Sequence, residues 1–357
     1  MKTERLNNII AKLKENNISQ MLMSDPASIF YLTGKMIEPG ERFLALLIKD
    51  SGENKMFINS LFTVPEELGV EKVWFSDEQD ACEIACKYID KDKILGVDKN
   101  LPARFLLRLM ELDSALGYKN TSDCVDTVRA CKDNEEIILM REASRVNDEA
   151  MAVIKTRVRD GMTERELASQ LKDIYAQMGA YEYSFAPLVG FGKCAAIGHY
   201  EAGNTELCEG DCILIDMGCV KNGYCSDMTR TFFYKKVSDV HKKIYDIVLK
   251  AQRAAEDMIK PGVRFCDIDK AARDIITEAG YGDKFTHRLG HSIGIECHEY
   301  GDVSSSNENT VKEGMIFSIE PGIYIEGDMG VRIEDLVLVT KDGVEILNYY
   351  DKELQII

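Results

Sequence analysis

Histidine is concentrated in one short segment of this chain. The sequence holds five histidines, and three of them lie in the stretch HRLGHSIGIECHE, residues 287–299. Imidazole titrates nearest to neutral pH and is the commonest metal-binding side chain. This concentration therefore predicts a site that binds metal ions or transfers protons.

Four acidic residues belong to apolar strand patterns elsewhere in the second half of the chain. Asp216 and Asp227 occur in DCILIDMGCVKNGYCSDMTRTFFY, and Glu320 and Glu334 occur in GMIFSIEPGIYIEGDMGVRIEDLVLVT. One such acid is usually a turn or surface residue, but four buried carboxylates require cations to neutralise them. Two divalent ions ~3.5 Å apart repel by roughly 19 kcal/mol at an effective dielectric constant near ~20, so bridging carboxylates are needed between them.

An internal repeat indicates how these acids come together. Residues 161–179 and 262–280 align without a gap as similar helix patterns. Each pattern is followed by two predicted strands that carry one acid each. If the two halves pack about a pseudo-twofold axis, the four carboxylates converge.

Five motifs follow one another along the chain: GDCILIDMG, YCSDMTRTF, GHSIGIECHE, MIFSIEPGIY and GVRIED. Their order resembles that of the pita-bread metallopeptidases, which include methionine aminopeptidase, aminopeptidase P and prolidase. The resemblance covers the C-terminal part fully and the N-terminal part more loosely. It implies an α/β (α+β) fold, in which a creatinase-type α/β domain precedes a pseudo-twofold pita-bread domain.

The resemblance also implies which residues bind metal. It makes five residues the ligands of two divalent ions: Asp216, Asp227, His291, Glu320 and Glu334. Asp227 and Glu334 match the bridging positions, and His291 is the single nitrogen ligand. An oxygen-rich set of this kind favours hard ions such as Mn²⁺, with Co²⁺, Fe²⁺ or Zn²⁺ as alternatives. Because all five positions are filled, the chain differs from the metal-free relatives, such as creatinase.

Further roles follow from the same resemblance. His199 and His298 match two active-site histidines that are not ligands, and they would stabilise the oxyanion or assist the leaving amine. Glu320 would also accept the proton of the attacking water. His287 and Arg332 are expected to contact the substrate.

The N-terminal segment alternates helix and strand patterns, which is typical of an α/β layer domain. A helix is predicted over 3–16, strands over ISQMLMS, FLALLIK, MFINS, KVWFS and KILGVD, and a turn over SDPASIFYLTG. We place the N-terminal creatinase-like domain at residues 1–125 and the catalytic domain at 126–357. A long helix is expected after Asp133, because acids fill its first turn.

Composition narrows the partners and the compartment. The net charge of −17 argues against nucleic acid or an anionic membrane as a partner. No apolar run approaches the length of a membrane span, and the N-terminus lacks the apolar core of a signal peptide. The eleven cysteines include no C-x-x-C pair, which favours reduced thiols in a cytoplasmic protein.

The N-terminal domain favours an Xaa-Pro peptidase over a plain methionine aminopeptidase, and the family resemblance implies a homodimer. The expected substrates are small peptides with proline second, and aminopeptidase P and prolidase activities are close rivals. Asp302 stands where some prolidases have a carboxylate-binding Arg, and Glu299 and Asp302 would repel a dipeptide carboxylate. Arg332 and Arg288 remain as possible substitutes for that Arg. The sequence therefore leans towards an Xaa-Pro aminopeptidase that prefers tripeptides, with an Xaa-Pro dipeptidase as the alternative. A non-catalytic binding protein is a remote third possibility.

Overall fold

A six-stranded mixed sheet organises the first unit, Met1–Arg129, of the computed structural model, which describes residues 1–357. Its strands are β1 (Gln20–Met23), β2 (Ala45–Lys49), β3 (Lys55–Asn59), β4 (Glu71–Phe75), β5 (Ile94–Val97) and β6 (Gly117–Asn120). They lie in the order β4-β3-β2-β1-β5-β6, with β2 antiparallel to both of its neighbours. Its helices are α1 (Thr3–Glu15), α2 (Pro26–Thr33), α3 (Ala81–Cys86), α4 (Ala103–Glu111) and α5 (Asp123–Ala130).

The segment SDPASIFYLTG forms the helix α2, so the prediction of a turn was wrong. The Asp25 carboxylate caps the helix by accepting a hydrogen bond from the Ser28 N–H, and Pro26 occupies its first position. Gly34 ends it in the left-handed region at φ 71°. Proline at the start and glycine at the end are helix boundary signals as well as turn signals.

The second unit, Ala130–Ile357, is built from five helices and thirteen strands. The helices are α6 (Asn134–Lys155), α7 (Glu164–Ser169), α8 (Leu171–Gln177), α9 (Asp239–Met258) and α10 (Phe265–Glu278). The first strands are β7 (Glu182–Tyr183), β8 (Leu188–Phe191), β9 (Cys212–Met217), β10 (Cys219–Lys221), β11 (Tyr224–Cys225), β12 (Met228–Phe233) and β13 (Gly290–His291). The remaining strands are β14 (Asp302–Val303), β15 (Ile316–Ile319), β16 (Gly322–Ile325), β17 (Met329–Arg332), β18 (Asp335–Val339) and β19 (Val344–Ile346).

The start of α6 confirms the helix predicted after Asp133. The Asp133 carboxylate accepts a hydrogen bond from the Glu136 N–H, and the Glu136 carboxylate accepts one from the Asp133 N–H. This reciprocal capping box satisfies two backbone donors that have no partner within the helix.

The two halves of this unit repeat one strand order. In the first half β9 pairs with β12, and the short antiparallel pair β10–β11 lies between them in sequence. In the second half β15 pairs with β18, and the hairpin β16–β17 lies between them. Each half therefore has four strands rather than the two predicted. Asp227 and Glu334 directly precede β12 and β18, Glu320 directly follows β15, and Asp216 is in β9.

Strand β9 is buried on both faces, which places its acid in the interior. Leu214 belongs to the core formed with α9 and α10. Ile213 and Ile215 point the other way, into the core formed with α6, α7 and α8. A strand covered on both faces reads as a continuous apolar run, as CILI does here.

The helices and the cysteines can also be compared with what the sequence predicts. None of the ten helices combines the length and the apolar character that a membrane crossing requires. All eleven cysteines are free thiols.

Candidate metal centre

One cavity of about 900 Å³ in the second unit is lined by every residue predicted to bind metal, act in catalysis or contact the substrate. Its lining includes the five predicted ligands and the four other predicted site residues: Asp216, Asp227, His291, Glu320, Glu334, His199, His287, His298 and Arg332. These residues are spread over positions 199–334 of the sequence. The strand pairs that end at the cavity bring them together.

The donor atoms of the predicted ligands lie close to one another but are not directly hydrogen-bonded. Nε2 of His291 lies 3.5 Å from Oδ2 of Asp227 and 3.6 Å from Oε1 of Glu320. One donor atom each from Asp227, His291 and Glu334 lies within 4.8 Å of the other two. Such separations exceed hydrogen-bond length and suit ligands that share a cation.

Burial makes the ionised form of these carboxylates unfavourable in the protein alone. Burial, with the neighbouring carboxylates, raises the pKa of Asp216 to about 7. The same two causes raise the pKa of Asp227 and place that of Glu334 well above its usual range. One oxygen each of Asp216 and Asp227 is buried without a hydrogen-bond partner. Unpartnered, clustered carboxylate oxygens fit divalent cations, which favour the ionised form.

Arg332 lines the cavity and is hydrogen-bonded to one of the predicted ligands. Its Nη2 donates to Oδ2 of Asp216 at 2.7 Å, and its Nε donates to the Thr229 hydroxyl at 3.0 Å. That hydroxyl donates in turn to Oε2 of Glu334 at 2.7 Å. Arg332 thus orients one acid from each half of the unit. Contact between Arg332 and the substrate stays a prediction.

His287 is the end of the same hydrogen-bond chain. Arg332 Nη1 donates to the Tyr324 hydroxyl at 3.0 Å, and that hydroxyl lies 2.8 Å from Nε2 of His287. Nδ1 of His287 lies 2.7 Å from the Arg288 carbonyl, which only accepts. The Nδ1–H tautomer satisfies both contacts, so the Tyr324 hydroxyl donates to Nε2.

Ser318 and Gly290 explain the Gly-His sequence of the third motif. The Ser318 hydroxyl accepts from the His291 N–H at 3.0 Å and donates to Oε1 of Glu320 at 3.1 Å. A Cβ on Gly290 would lie 1.9 Å from the Ser318 carbonyl oxygen. Only glycine permits the close approach of backbone that aligns these two ligands.

A buried glutamate shapes the loop that carries His199. Glu164 is fully buried, and its Oε1 accepts from the Phe191 N–H at 2.8 Å. Its Oε2 accepts from the Gly203 N–H at 3.0 Å and from the Tyr200 hydroxyl at 2.6 Å. The carboxylate therefore ties together both ends of the loop, on which His199 is exposed. Glu164 was not predicted to support the site, because in the sequence it is only an acid in the first turn of a helix.

A second buried glutamate anchors the segment that carries His298. Oε2 of Glu299 lies 3.1 Å from Nζ of Lys132, and Oε1 accepts from the Ile295 N–H at 2.9 Å. Burial and the neighbouring His291 lower the pKa of His298 to about 4. His298 is therefore neutral at physiological pH and presents one N–H donor to the cavity.

The two acids expected to repel a substrate carboxylate do not line the cavity. Glu299 is paired with Lys132 at 3.1 Å. Asp302 accepts hydrogen bonds from the Ser304 hydroxyl at 3.1 Å and from the Asn307 amide at 3.3 Å. Arg288 does line the cavity, and its guanidinium makes no hydrogen bond within the chain. The prediction that Glu299 and Asp302 repel a substrate carboxylate was therefore wrong, because both acids are held by other partners.

Known proteins resemble this chain over its whole length. Residues 138–341 match metallopeptidase family M24, and residues 5–131 match the creatinase/prolidase N-terminal domain. The putative dipeptidase YkvY of Bacillus subtilis (strain 168) is 36% identical over 364 residues, covering 99% of each chain.

Solved structures superpose equally fully. The prolidase of Pyrococcus horikoshii OT3 gives a TM-score of 0.90 at 31% identity, covering 98% of this chain and 99% of the other. An X-Pro aminopeptidase from Thermotoga maritima MSB8 gives a TM-score of 0.86 at 29% identity, covering 97% of this chain and 100% of the other.

Proposed function

Because this chain belongs to metallopeptidase family M24, we propose that it is an Xaa-Pro dipeptidase with two divalent metal ions. The membership confirms the predicted family, and the creatinase/prolidase N-terminal match confirms the fold class. The observation that carries the proposal is the convergence of four acids and His291 on one cavity. Proline forms a tertiary amide with a fixed φ, so the bond before it requires a dedicated pocket.

The cluster fits a pair of hard cations. Its donors are carboxylate oxygens and one imidazole, a set that favours Mn²⁺ among the divalent ions, with Co²⁺, Fe²⁺ and Zn²⁺ as alternatives. Asp227, Glu334 and His291 would hold the ions most closely, since all three are buried and their donor atoms lie within 4.8 Å of one another. When bound, two such ions neutralise the carboxylates, polarise the scissile carbonyl and activate a water molecule.

The remaining polar residues handle protons and developing charge. Glu320, fixed by the Ser318 hydroxyl, is proposed to accept the proton of the attacking water and pass it to the leaving amine. His298 and His199 are proposed to donate hydrogen bonds to the oxyanion, where charge develops in the transition state. Asp216 is held in place by Arg332.

The dipeptidase assignment is tested by substrate length. Arg288 is the unpaired cation of the cavity, and we propose that it binds the substrate carboxylate. Ala-Pro is expected to show a higher kcat/KM than Ala-Pro-Ala under one metal condition. Arg288→Ala should raise the KM for Ala-Pro by about 10–100-fold, since a charge-assisted hydrogen bond contributes ~1.5–3 kcal/mol. It should change the values for Ala-Pro-Ala much less.

Steady-state kinetics on the wild type and the variant decide between the two activities. Arg288→Lys serves as the matched control, because it keeps the charge but loses the planar fork. A clear preference for the tripeptide in the wild type would instead support the aminopeptidase alternative. That alternative rests on Asp302, which occupies the position of the carboxylate-binding Arg of some prolidases. The homodimer implied by the family resemblance stays a prediction.

The pKa values predict how metal stabilises the protein. Below the unfolded-state pKa of about 3.9, Asp216 is protonated in both states. As pH rises towards about 7, the unfolded state ionises first, so the metal-free protein loses stability over this range. Cations restore it by binding the ionised carboxylates. The rise in Tm caused by Mn²⁺ should therefore be larger at about pH 8 than at about pH 6.

Thermal unfolding with and without Mn²⁺ at both pH values measures this difference directly. Asp302→Ala is a suitable control, because Asp302 lies outside the cavity. Equal stabilisation at the two pH values, or a larger one at the lower pH, would contradict the assignment of these buried carboxylates as ligands.

A further inference from the structure

Cys297 brings a sulfur donor to a cavity whose other donors are oxygen and nitrogen. Its side chain lines the cavity, and its Sγ lies 3.6 Å from Oδ2 of Asp227. In the simplest interpretation the thiol fills space and donates a weak hydrogen bond to that carboxylate. The two histidines beside it indicate that the thiol can also take part in binding a metal ion.

One donor atom each from His291, Cys297 and His298 lies within 4.8 Å of the other two. The two imidazole rings are 4.1 Å apart between centroids and nearly perpendicular, at 75°. A tetrahedral ion with Zn–S and Zn–N bonds of ~2.0–2.3 Å needs ligand atoms roughly 3.6 Å apart. The three donor atoms, each within 4.8 Å of the others, lie near this spacing.

Asp227, a predicted ligand of the carboxylate centre, borders this group of three side chains. It is 3% exposed, and its Oδ1 has no hydrogen-bond partner. Its Oδ2 faces the Cys297 sulfur. The Asp227 carboxylate therefore contacts the sulfur of this group directly.

The other buried thiols show no such arrangement. The Cys225 thiol donates to the Ile295 carbonyl at 3.3 Å, and the Cys212 thiol donates to the Gly192 carbonyl at 3.4 Å. Cys297 alone among the eleven cysteines belongs to a group of three possible metal-binding side chains.

We propose that His291, Cys297 and His298 form an alternative site for a soft divalent cation, Cd²⁺ or Zn²⁺. Thiolate and imidazole favour soft ions, whereas the carboxylate-rich group favours hard ones. His291 belongs to both groups of donors, so the two modes exclude each other. On binding, the metal–sulfur bond replaces the thiol S–H, and the proton passes to the buffer without any change of oxidation state.

Direct binding is measured on the full-length protein freed of metal. Titration with Cd²⁺ alone should produce the ultraviolet charge-transfer band of one cadmium–thiolate bond per chain. Cys297→Ser and Cys297→Val should lack this band. Cys208→Ser is the matched control, because Cys208 is exposed and outside the cavity, and it should keep the band.

Two results would overturn the proposal: no thiolate band in the wild type, or a band that persists in both Cys297 variants. The Ser and Val variants differ in polarity. If one of them does not fold, the other still tests whether the band depends on Cys297. His298→Ala should retain the band but require about tenfold or more Cd²⁺ to reach it, because one ligand is lost. An unchanged titration of His298→Ala would remove His298 from the site.

Inhibition provides a second readout, which rests on the proposed function. Excess Cd²⁺ or Zn²⁺ should inhibit Xaa-Pro cleavage by the Mn²⁺-loaded wild type at concentrations about tenfold or more below those needed for Cys297→Val. Equal sensitivity of the two proteins would contradict competition through Cys297. A thiolate band in a protein that cleaves no Xaa-Pro peptide would refute the proposed function alone. Cleavage without the band would refute the soft-metal site alone.

Discussion

Asp227→Ala is expected to abolish both metal binding and peptide cleavage. Asp227 is buried, its Oδ2 lies 3.5 Å from Nε2 of His291, and its Oδ1 has no hydrogen-bond partner. Loss of a ligand should exceed the roughly 10–100-fold drop in metal affinity that follows loss of a supporting residue. Metal analysis of the purified variant and its cleavage of an Xaa-Pro peptide measure the two effects.

The same variant separates metal loss from misfolding. Burial raises the pKa of the Asp227 carboxyl, so its removal relieves an unfavourable charge in the metal-free protein. The Tm of metal-free Asp227→Ala should therefore equal or exceed that of metal-free wild type. Mn²⁺ should raise the Tm of the wild type only. A variant that keeps two metal ions would show that Asp227 is not a ligand.

His298→Ala and His199→Ala should each lower kcat about 10²–10³-fold while both metal ions stay bound, since each removes one donor to the oxyanion. Both side chains line the cavity, and the carboxylates of Glu299 and Glu164 hold the segments that carry them. Burial keeps the pKa of His298 at about 4. A neutral donor of this kind acts throughout the pH range in which the enzyme is expected to work.

His241→Ala is the matched control for these two variants. His241 lies outside the cavity, and its Nε2 is 3.2 Å from Oδ1 of Asp328. Its replacement should leave kcat unchanged. Loss of metal from His298→Ala would assign that residue as a ligand of the working centre and would contradict the division of roles given above.

The sequence predicted which residues form the site better than it predicted the contacts that hold those residues in place. Acids at the ends of apolar strands and the clustered histidines are local patterns, and the structure places all of them in one cavity. The supporting contacts join distant residues. Lys132 and Glu299 are 167 positions apart, and Arg332 and Asp216 are 116 apart. No local pattern encodes such pairs, so the contacts that Arg332 makes with Asp216 and Thr229 could not be predicted.

The strand order of the two halves also shows that local features were predicted and long-range contacts were not. The apolar patterns predicted two strands in each half, joined as one hairpin, with one acid on each strand. The structure pairs β15 with β18 and places the hairpin β16–β17 between them. Pairing between strands that are not adjacent in sequence depends on the whole sheet, which local periodicity does not describe.

The predicted repulsion of a substrate carboxylate by Glu299 and Asp302 was wrong because the partners of the two acids could not be predicted from the sequence. Glu299 and Asp302 were treated as charges facing the substrate because they follow His298 in the sequence. In the structure their partners are Lys132 for Glu299, and the Ser304 hydroxyl and Asn307 amide for Asp302. The charge of a side chain can be read from the sequence, but its direction and its partner cannot.

The central claim is tested most directly by adding Mn²⁺ to metal-free protein while Ala-Pro hydrolysis is followed. The account predicts no hydrolysis without metal and a rate that reaches its plateau at two ions per chain, because one ion leaves the buried carboxylates only partly neutralised. A plateau at one ion per chain would contradict the dinuclear centre. Absence of Ala-Pro hydrolysis with Mn²⁺, Co²⁺ and Zn²⁺ alike would contradict the dipeptidase itself.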